Sequence, residues 1–328
     1  MPNIHVDGAT FERAPDETVL ECLERNGVEV MSSCRTGVCQ SCLVQAVEGA
    51  PPAAAQTGLR DTMTKQGFFL ACCALPEEDL TIDLSGAAGR EHHPIVTSID
   101  KLNDRVVRVR CEPDAPIDYF AGQFMNVVGP AGDVRSYSVA SVAGLDSYIE
   151  FHVMLLPGGK VSSWMHDGLN VGDTLTLIGP QGACYYVEGS PDQPMALAGT
   201  GTGLAPLYGI VRDALRQGHS GSIHLFHGSV RADGLYLVDE LRALANEYEN
   251  VFYHPCALEA GGDDNGIEIR AIDALVEATL PELDGYRVFL CGHPDLVKAM
   301  QRNVFLSGAS MGEIYTDAFL PAGGASKA

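Results

Sequence analysis

The 328-residue sequence predicts a multidomain chain of α+β and α/β class: a small β-grasp unit, an antiparallel β-barrel and a doubly wound parallel sheet. Three observations predict it. A cysteine-rich N-terminal stretch ends in the short linker Ser85-Gly86-Ala87-Ala88-Gly89. The central stretch reads as short strands cut by Gly and Pro, the signature of a barrel. After residue 190, apolar strands alternate with helical stretches, which implies a parallel sheet covered on both faces. The expected domains are 1–88, 89–189 and 190–328.

Composition sets limits on what such a chain does. Hydrophobic residues make up 46% and charged residues 20%, a globular balance that argues against general disorder. The net charge of −22 repels phosphate backbones and anionic lipid, so no nucleic acid and no membrane surface is expected as a partner. The N-terminus, Met1-Pro2-Asn3-Ile4-His5-Val6-Asp7, is neither basic nor apolar, and no apolar run has the length of a membrane helix. A cytoplasmic protein with unpaired cysteines is the expectation, and a monomer the default.

In the first part, Ile4–Val6 and Ala9–Phe11 read as a hairpin around Asp7-Gly8. Thr18–Asn26 is helical, with Val19, Leu20 and Leu23 on one face and Gly27 as its stop. Residues 42–47 and 80–84 alternate as strands. Between these elements Cys34, Cys39 and Cys42 are spaced C-x4-C-x2-C, and Cys72 follows. This is the plant-type [2Fe–2S] spacing: a tight loop aims three thiolates at a small cluster. Gly37 lets the backbone approach, and Ser32, Ser33, Arg35 and Thr36 keep the loop polar. A zinc site would show two short C-x2-C pairs. A disulfide framework suits a small secreted domain. Cys73 competes with Cys72 for the fourth position. Residues 1–85 resemble a plant-type ferredoxin. That resemblance assigns Cys34, Cys39, Cys42 and Cys72 as metal ligands and leaves Cys73 as a neighbour.

The barrel strands are expected at 95–102, 106–111, 124–128, 135–140, 148–155 and 174–178. Arg135, Ser136, Tyr137 and Ser138 lie on one of them, with Arg135 and Tyr137 on one face. A cation beside an aromatic ring suits a ligand that has both a phosphate and a ring. Pro157-Gly158-Gly159-Lys160-Val161-Ser162 is a Gly-rich turn opening a helix, a place where backbone N–H groups meet an anion. Trp164, on that helix, reads as core packing. In this order the motifs resemble the flavin domain of the ferredoxin–NADP reductase superfamily. The resemblance implies that Arg135 neutralises the pyrophosphate of FAD, Tyr137 packs on the flavin and Ser138 bonds its ring. It also implies that Gly159, Lys160, Val161 and Ser162 cap the pyrophosphate. Tyr185 and Tyr186 are candidates to hold adenine.

In the last part, strands at 195–198, 223–226, 251–254 and 287–290 alternate with helices at 205–217, 238–247, 271–278 and 294–306. Ligands bind at the C-terminal strand ends of such sheets. At those ends stand Gly199-Thr200-Gly201-Thr202-Gly203-Leu204-Ala205-Pro206, Cys291-Gly292-His293-Pro294 and Glu313-Ile314-Tyr315-Thr316-Asp317-Ala318-Phe319. They resemble the G-T-G-x-x-P loop, C-G-x-P loop and C-terminal aromatic of the same superfamily. By that resemblance Gly199, Thr200, Gly201, Thr202, Gly203, Pro206 and Gly292 hold the pyridine nucleotide, and Cys291 sits beside the nicotinamide. Glu313 and either Tyr315 or Phe319 complete the catalytic set, the aromatic covering the flavin. A 2′-phosphate binder gathers cations at the end of the second strand. Here only Arg231 is present, with Asp233 beside it, which favours NADH over NADPH.

The whole chain resembles the reductase component of multicomponent bacterial oxygenases. That implies an oxidoreductase that takes hydride from NADH to FAD and passes single electrons to a [2Fe–2S] cluster. The expected acceptor is a terminal oxygenase, a dioxygenase or monooxygenase, or an intermediate electron carrier. A reductase partner of a deoxysugar dehydrase has the same domain order. A non-enzymatic electron-carrier adaptor is the alternative of a different class.

Overall fold

The computed structural model describes residues 2–30, 32, 35–37, 42–84, 90–261 and 266–319. The chain forms two compact units, Met1–Ala88 and Gly89–Ala328. The expected linker, 85–89, lies outside the described residues.

The first unit contains β1 (Asn3–Val6), β2 (Ala9–Glu12), α1 (Val19–Arg25), β3 (Leu43–Glu48), α2 (Asp61–Lys65), β4 (Phe68–Leu70) and β5 (Leu80–Asp83). The hairpin turns where expected, with Asp7 and Gly8 both at positive φ as a two-residue primed turn requires. Helix α1 starts at a capping box in which Thr18 and Glu21 satisfy each other's backbone N–H. The sheet order is β2-β1-β5-β3-β4, with β1 parallel to β5 and the other pairs antiparallel. Ile4, Val19, Leu20, Leu23, Phe69 and Leu80 fill the core between this sheet and α1. Two elements escape the sequence reading, α2 and the three-residue β4, both too short to show a period.

The second unit opens with β6 (Arg90–His92), β7 (Ile95–Lys101), β8 (Val106–Glu112), β9 (Phe124–Val128), β10 (Val134–Ser138), β11 (Ile149–Met154), α3 (Lys160–Asp167) and β12 (Thr176–Gln181). The expected barrel is realised as two antiparallel sheets, β10-β9-β12-β6 and β11-β8-β7. Single bridges join them at Ile95–Thr174 and Val139–Phe151. Val109, Met125, Val127, Phe151, Val153 and Leu177 fill the space between the sheets. Trp164 packs against this core, as read from the sequence.

The unit continues with β13 (Met195–Thr200), α4 (Leu204–Arg216), β14 (Ile223–Arg231), α5 (Val238–Glu247), β15 (Val251–Glu259), β16 (Glu268–Ile269), α6 (Ile272–Thr279), β17 (Arg287–Gly292), α7 (Pro294–Leu306) and β18 (Ile314–Ala318). All pairs in the sheet β16-β15-β14-β13-β17-β18 are parallel. Residues of α4 and α5 bury one face, residues of α6 and α7 the other. The chain leaves β13 toward β14 and returns on the other side at β17. The switch point of this doubly wound sheet therefore lies between β13 and β17.

Candidate functional site

A groove of about 1750 Å³ runs through the second unit. The barrel contributes Arg135–Ser138 of β10 and Gly158–Ser162, where α3 begins. The parallel sheet contributes Thr200–Thr202, Gly228–Arg231, Gly292-His293 and Asp317–Phe319, all at C-terminal strand ends. Single small-molecule pockets run to about 1,000 Å³, so this volume suits two extended ligands meeting end to end.

On the barrel side, Tyr137 is half-buried against Phe151, with ring centroids 6.4 Å apart, and burial pushes its phenol up to about 12. Helix α3 has no side-chain cap on its first N–H groups, and the residues of its first turn line the groove. The Ser162 hydroxyl is already engaged: it donates to Gly159 O and accepts from Leu156 N, both at 3.3 Å. It closes the Gly-Gly turn from within. Lys160 pairs with Asp133 at 3.1 Å on the surface. Tyr185 and Tyr186 do not present faces to a ligand. Tyr185 stacks on Phe120 and Tyr186 bonds His219, both buried, so neither holds adenine here.

On the sheet side, the turn after β13 is shaped by close approach. A Cβ on Gly203 would stand 2.4 Å from Cys291 O, and one on Gly201 would stand 2.7 Å from Met154 Cε. Thr200, Gly201 and Thr202 line the groove. Gly199, Gly203 and Pro206 sit behind that wall and let α4 start against β17. Cys291 is buried, its Sγ 3.8 Å from Cys184 Sγ, and burial drives its thiol well above the ordinary range. The groove is lined by its neighbours Gly292 and His293 instead.

The C-terminal residues divide clearly. Glu313 pairs with Arg287 at 3.0 Å and does not line the groove. Tyr315 is buried, stacked on Phe289 with centroids 5.2 Å apart. Phe319 lines the groove, its backbone N–H bonded to Gly292 O at 2.8 Å. The carboxylate there is Asp317, which the sequence reading passed over. Ser138 Oγ donates to Asp317 Oδ2 at 2.7 Å, joining the barrel to the sheet. Burial raises the Asp317 carboxyl above its ordinary range despite that bond.

In the first unit, Cys42 and Cys72 are buried, and their thiols are hydrogen-bond partners. The Gly37 N–H donates to Cys72 Sγ. Cys73 Sγ lies 3.6 Å from Cys72 Sγ and would be 2.9 Å from a Cβ on Gly37. Two soft donors side by side, with a backbone N–H aimed at sulfur, fit an iron–sulfur cluster. Cys34 and Cys39 lie outside the described residues.

Comparison with known proteins finds the three expected kinds of domain in the expected order. Residues 3–77 match the 2Fe-2S iron-sulfur cluster binding domain, 97–186 the oxidoreductase FAD-binding domain and 197–302 the oxidoreductase NAD-binding domain. A Ralstonia sp. ferredoxin–NAD(P)+ reductase component of naphthalene 1,2-dioxygenase/salicylate 5-hydroxylase systems is 33% identical, over 98% of this chain and 97% of its own. The chain belongs to this family of reductase components. A crystal structure of an Amycolatopsis cytochrome P450 reductase has a TM-score of 0.67 and 29% identity, covering 98% of this chain and 99% of that one. More distant is a Yersinia pestis CDP-6-deoxy-L-threo-D-glycero-4-hexulose-3-dehydrase reductase, 26% identical over 97% of this chain and 98% of its own. The reductase-component domains here are those that bind [2Fe–2S], FAD and NAD(P). No helix among the described residues is long and apolar enough to cross a membrane.

Proposed function

We propose that this reductase component oxidises NADH and delivers single electrons to an oxygenase partner. One observation carries the reading: β10 of the barrel and the C-terminal ends of β13, β17 and β18 line a single groove. A ring held by the first meets a ring held by the others. When bound, the flavin accepts two electrons as hydride and the iron–sulfur cluster takes them one at a time.

The residues divide the work. Arg135 and the open N–H groups of α3 hold the flavin pyrophosphate, and Tyr137 and Ser138 hold its ring system. Thr200, Gly201 and Thr202 admit the nicotinamide nucleotide, and the Gly292 backbone orients it. Phe319 covers the flavin face that the nicotinamide must reach. Cys291 acts through the backbone it fixes at Gly292. Cys34, Cys39, Cys42 and Cys72 hold the cluster, within domains 1–88, 89–189 and 190–328. NADH is favoured because Asp233 binds the Arg231 guanidinium at 2.9 Å and adds a carboxylate where a 2′-phosphate would lie.

The partner is an oxygenase or an intermediate carrier whose docking face is basic or apolar, to match a chain of net charge −22. Relatives of the oxygenase kind stand nearer than the dehydrase reductase. The adaptor reading would make the turn at Gly201 scaffold alone, yet that turn opens on the groove. An anaerobic NADH titration tests the proposal. The flavin band should bleach and a rhombic signal of a reduced [2Fe–2S] cluster should appear. Reduction by NADPH alone would overturn the nucleotide assignment, and no response to either would support the adaptor.

A further inference from the structure

Strand β11 carries polar residues on a face that ought to be wet. Glu150, His152 and Met154 alternate with Phe151 and Val153, and the latter two point into the barrel core. The polar face of such a strand ordinarily meets solvent. Here Glu150 is 1% and His152 3% exposed, because the nucleotide-binding part of the unit covers them. Tyr236 meets the His152 ring edge-on at 5.2 Å, and Tyr208 of α4 lies at 6.2 Å. Met154 reaches the Gly201 turn.

Burying these groups requires partners, and each has them. Arg110 of β8 donates from Nε to Glu150 Oε2 at 2.6 Å. His152 Nε2 meets Glu150 Oε1 at 2.9 Å, and His152 Nδ1 meets the Tyr236 hydroxyl at 3.1 Å. Burial works against the Glu150 charge, but His152 and Arg110 hold its carboxyl at about 2. It is therefore a carboxylate and only accepts. Burial also pushes His152 below its ordinary value, so the ring is neutral. Its proton must sit on Nε2, toward Glu150, which leaves Nδ1 to accept from the Tyr236 O–H. Each hydrogen in the chain Arg110–Glu150–His152–Tyr236 thus has one direction. A turned ring or a missing hydroxyl leaves a buried polar atom unpaired.

We propose that this chain is a registration element: the His152–Tyr236 bond sets where the nucleotide-binding sheet sits on the flavin barrel, and Met154, on the same strand face, passes that register to the Gly201 turn. Other polar bonds cross the same seam. Arg212 binds Asp146 with two bonds of 2.8 Å, and Asn103 donates to Gly234 O at 3.0 Å. Those, like the Ser138–Asp317 bond at the groove, tie the seam at partly exposed places. The His152–Tyr236 bond joins two buried side chains, and His152 stands two residues along β11 from Met154, which touches the Gly201 turn. Tyr236 and His152 are positioning residues in this scheme. The inference rests on the groove holding flavin and nicotinamide together, as proposed above.

The test uses the purified holoprotein and three variants. Tyr236→Phe removes the donor, His152→Leu removes both bonds, and His152→Gln keeps a donor and an acceptor at similar spacing. At saturating NADH, Y236F and H152L should bleach the flavin roughly tenfold more slowly, since a displacement of about 1 Å costs up to ~100-fold. FAD content, reduction by dithionite and apparent NADH affinity should stay within about twofold, and H152Q should stay within about threefold of the parent rate. Hydrogen exchange without NADH is the second readout: amides of β11 and of residues 235–241 should exchange faster in Y236F, those of the first unit unchanged. Parent-like rate and exchange in Y236F would overturn the proposal. So would a loss of FAD or of melting temperature with the rate per bound flavin intact. Failure of the parent protein to be reduced by NADH would sink the functional reading instead, while the exchange readout would still decide the register.

Discussion

At the residue scale, two carboxylates of the second unit, Glu150 and Asp317, titrate in opposite senses. Glu150 is lowered from 4.5 to about 2, so its contribution is present above pH 4.5 and is lost as pH falls toward 2. Asp317 is raised, chiefly by burial. Above its unfolded value the native state holds a proton that the unfolded chain has released, so stability falls as pH rises from there through the native value. A destabilising acid at the groove is the pattern of a group kept for function. Asp317→Asn can still accept from Ser138. It should raise the melting temperature at neutral pH by a few degrees, on the order of 1 kcal/mol. It should also slow flavin reduction by NADH, by about ten- to a hundredfold. A variant both less stable and equally fast would refute this account. The sequence had placed the acid at Glu313. Tyr315 and Asp317 share one face of β18, Phe319 follows just past the strand at the same parity, and that parity was legible. Where along the strand the helical cover ends was not, and that decides that Tyr315 is core while Asp317 and Phe319 meet the groove.

At the scale of elements, the parts that bear chemistry were the most legible, because strand–turn–helix units repeat a pattern that short apolar runs and glycines report directly. The helices at Val238–Glu247 and Pro294–Leu306 and the strand Phe124–Val128 lie where expected. The barrel strands were legible singly, but their division into two sheets depends on pairing across long loops, which no local pattern encodes. The turn after β13 shows what glycine does here. Gly203 has an ordinary helical φ of −58°, so its role is close approach alone. A methyl there meets the Cys291 carbonyl, which is backbone and cannot swing aside. At Gly201 φ is +54°, but the methyl would meet only the flexible tip of Met154. Gly203→Ala should therefore cost more than Gly201→Ala, on the order of 2–3 kcal/mol against about 1. The first should weaken NADH-driven bleaching while FAD stays bound. Equal losses of stability at the two positions, measured by urea unfolding followed through the flavin signal, would contradict the assignment.

At the scale of the whole molecule, each unit carries one kind of electron chemistry. The groove in Gly89–Ala328 suits a two-electron donor and a ring acceptor, and the paired thiols of Met1–Ala88 suit a one-electron centre. The order of domains was legible because cysteine spacing is a covalent pattern that survives any packing. The fourth ligand was harder, since Cys72 and Cys73 are adjacent and spacing alone accepts either. In the structure Cys72 hydrogen-bonds Cys42 and receives the Gly37 N–H, while Cys73 Sγ lies 3.6 Å from Cys72 Sγ and also close to Gly37. Two substitutions test the division together. Cys39→Ser should abolish the iron–sulfur absorbance yet leave NADH-to-ferricyanide turnover within about threefold, because ferricyanide takes electrons from the flavin. Cys73→Ser should keep the cluster and its EPR signal. A colourless Cys73→Ser protein would move the fourth ligand by one residue. Loss of ferricyanide turnover in Cys39→Ser, with FAD still bound, would mean that the units do not work independently.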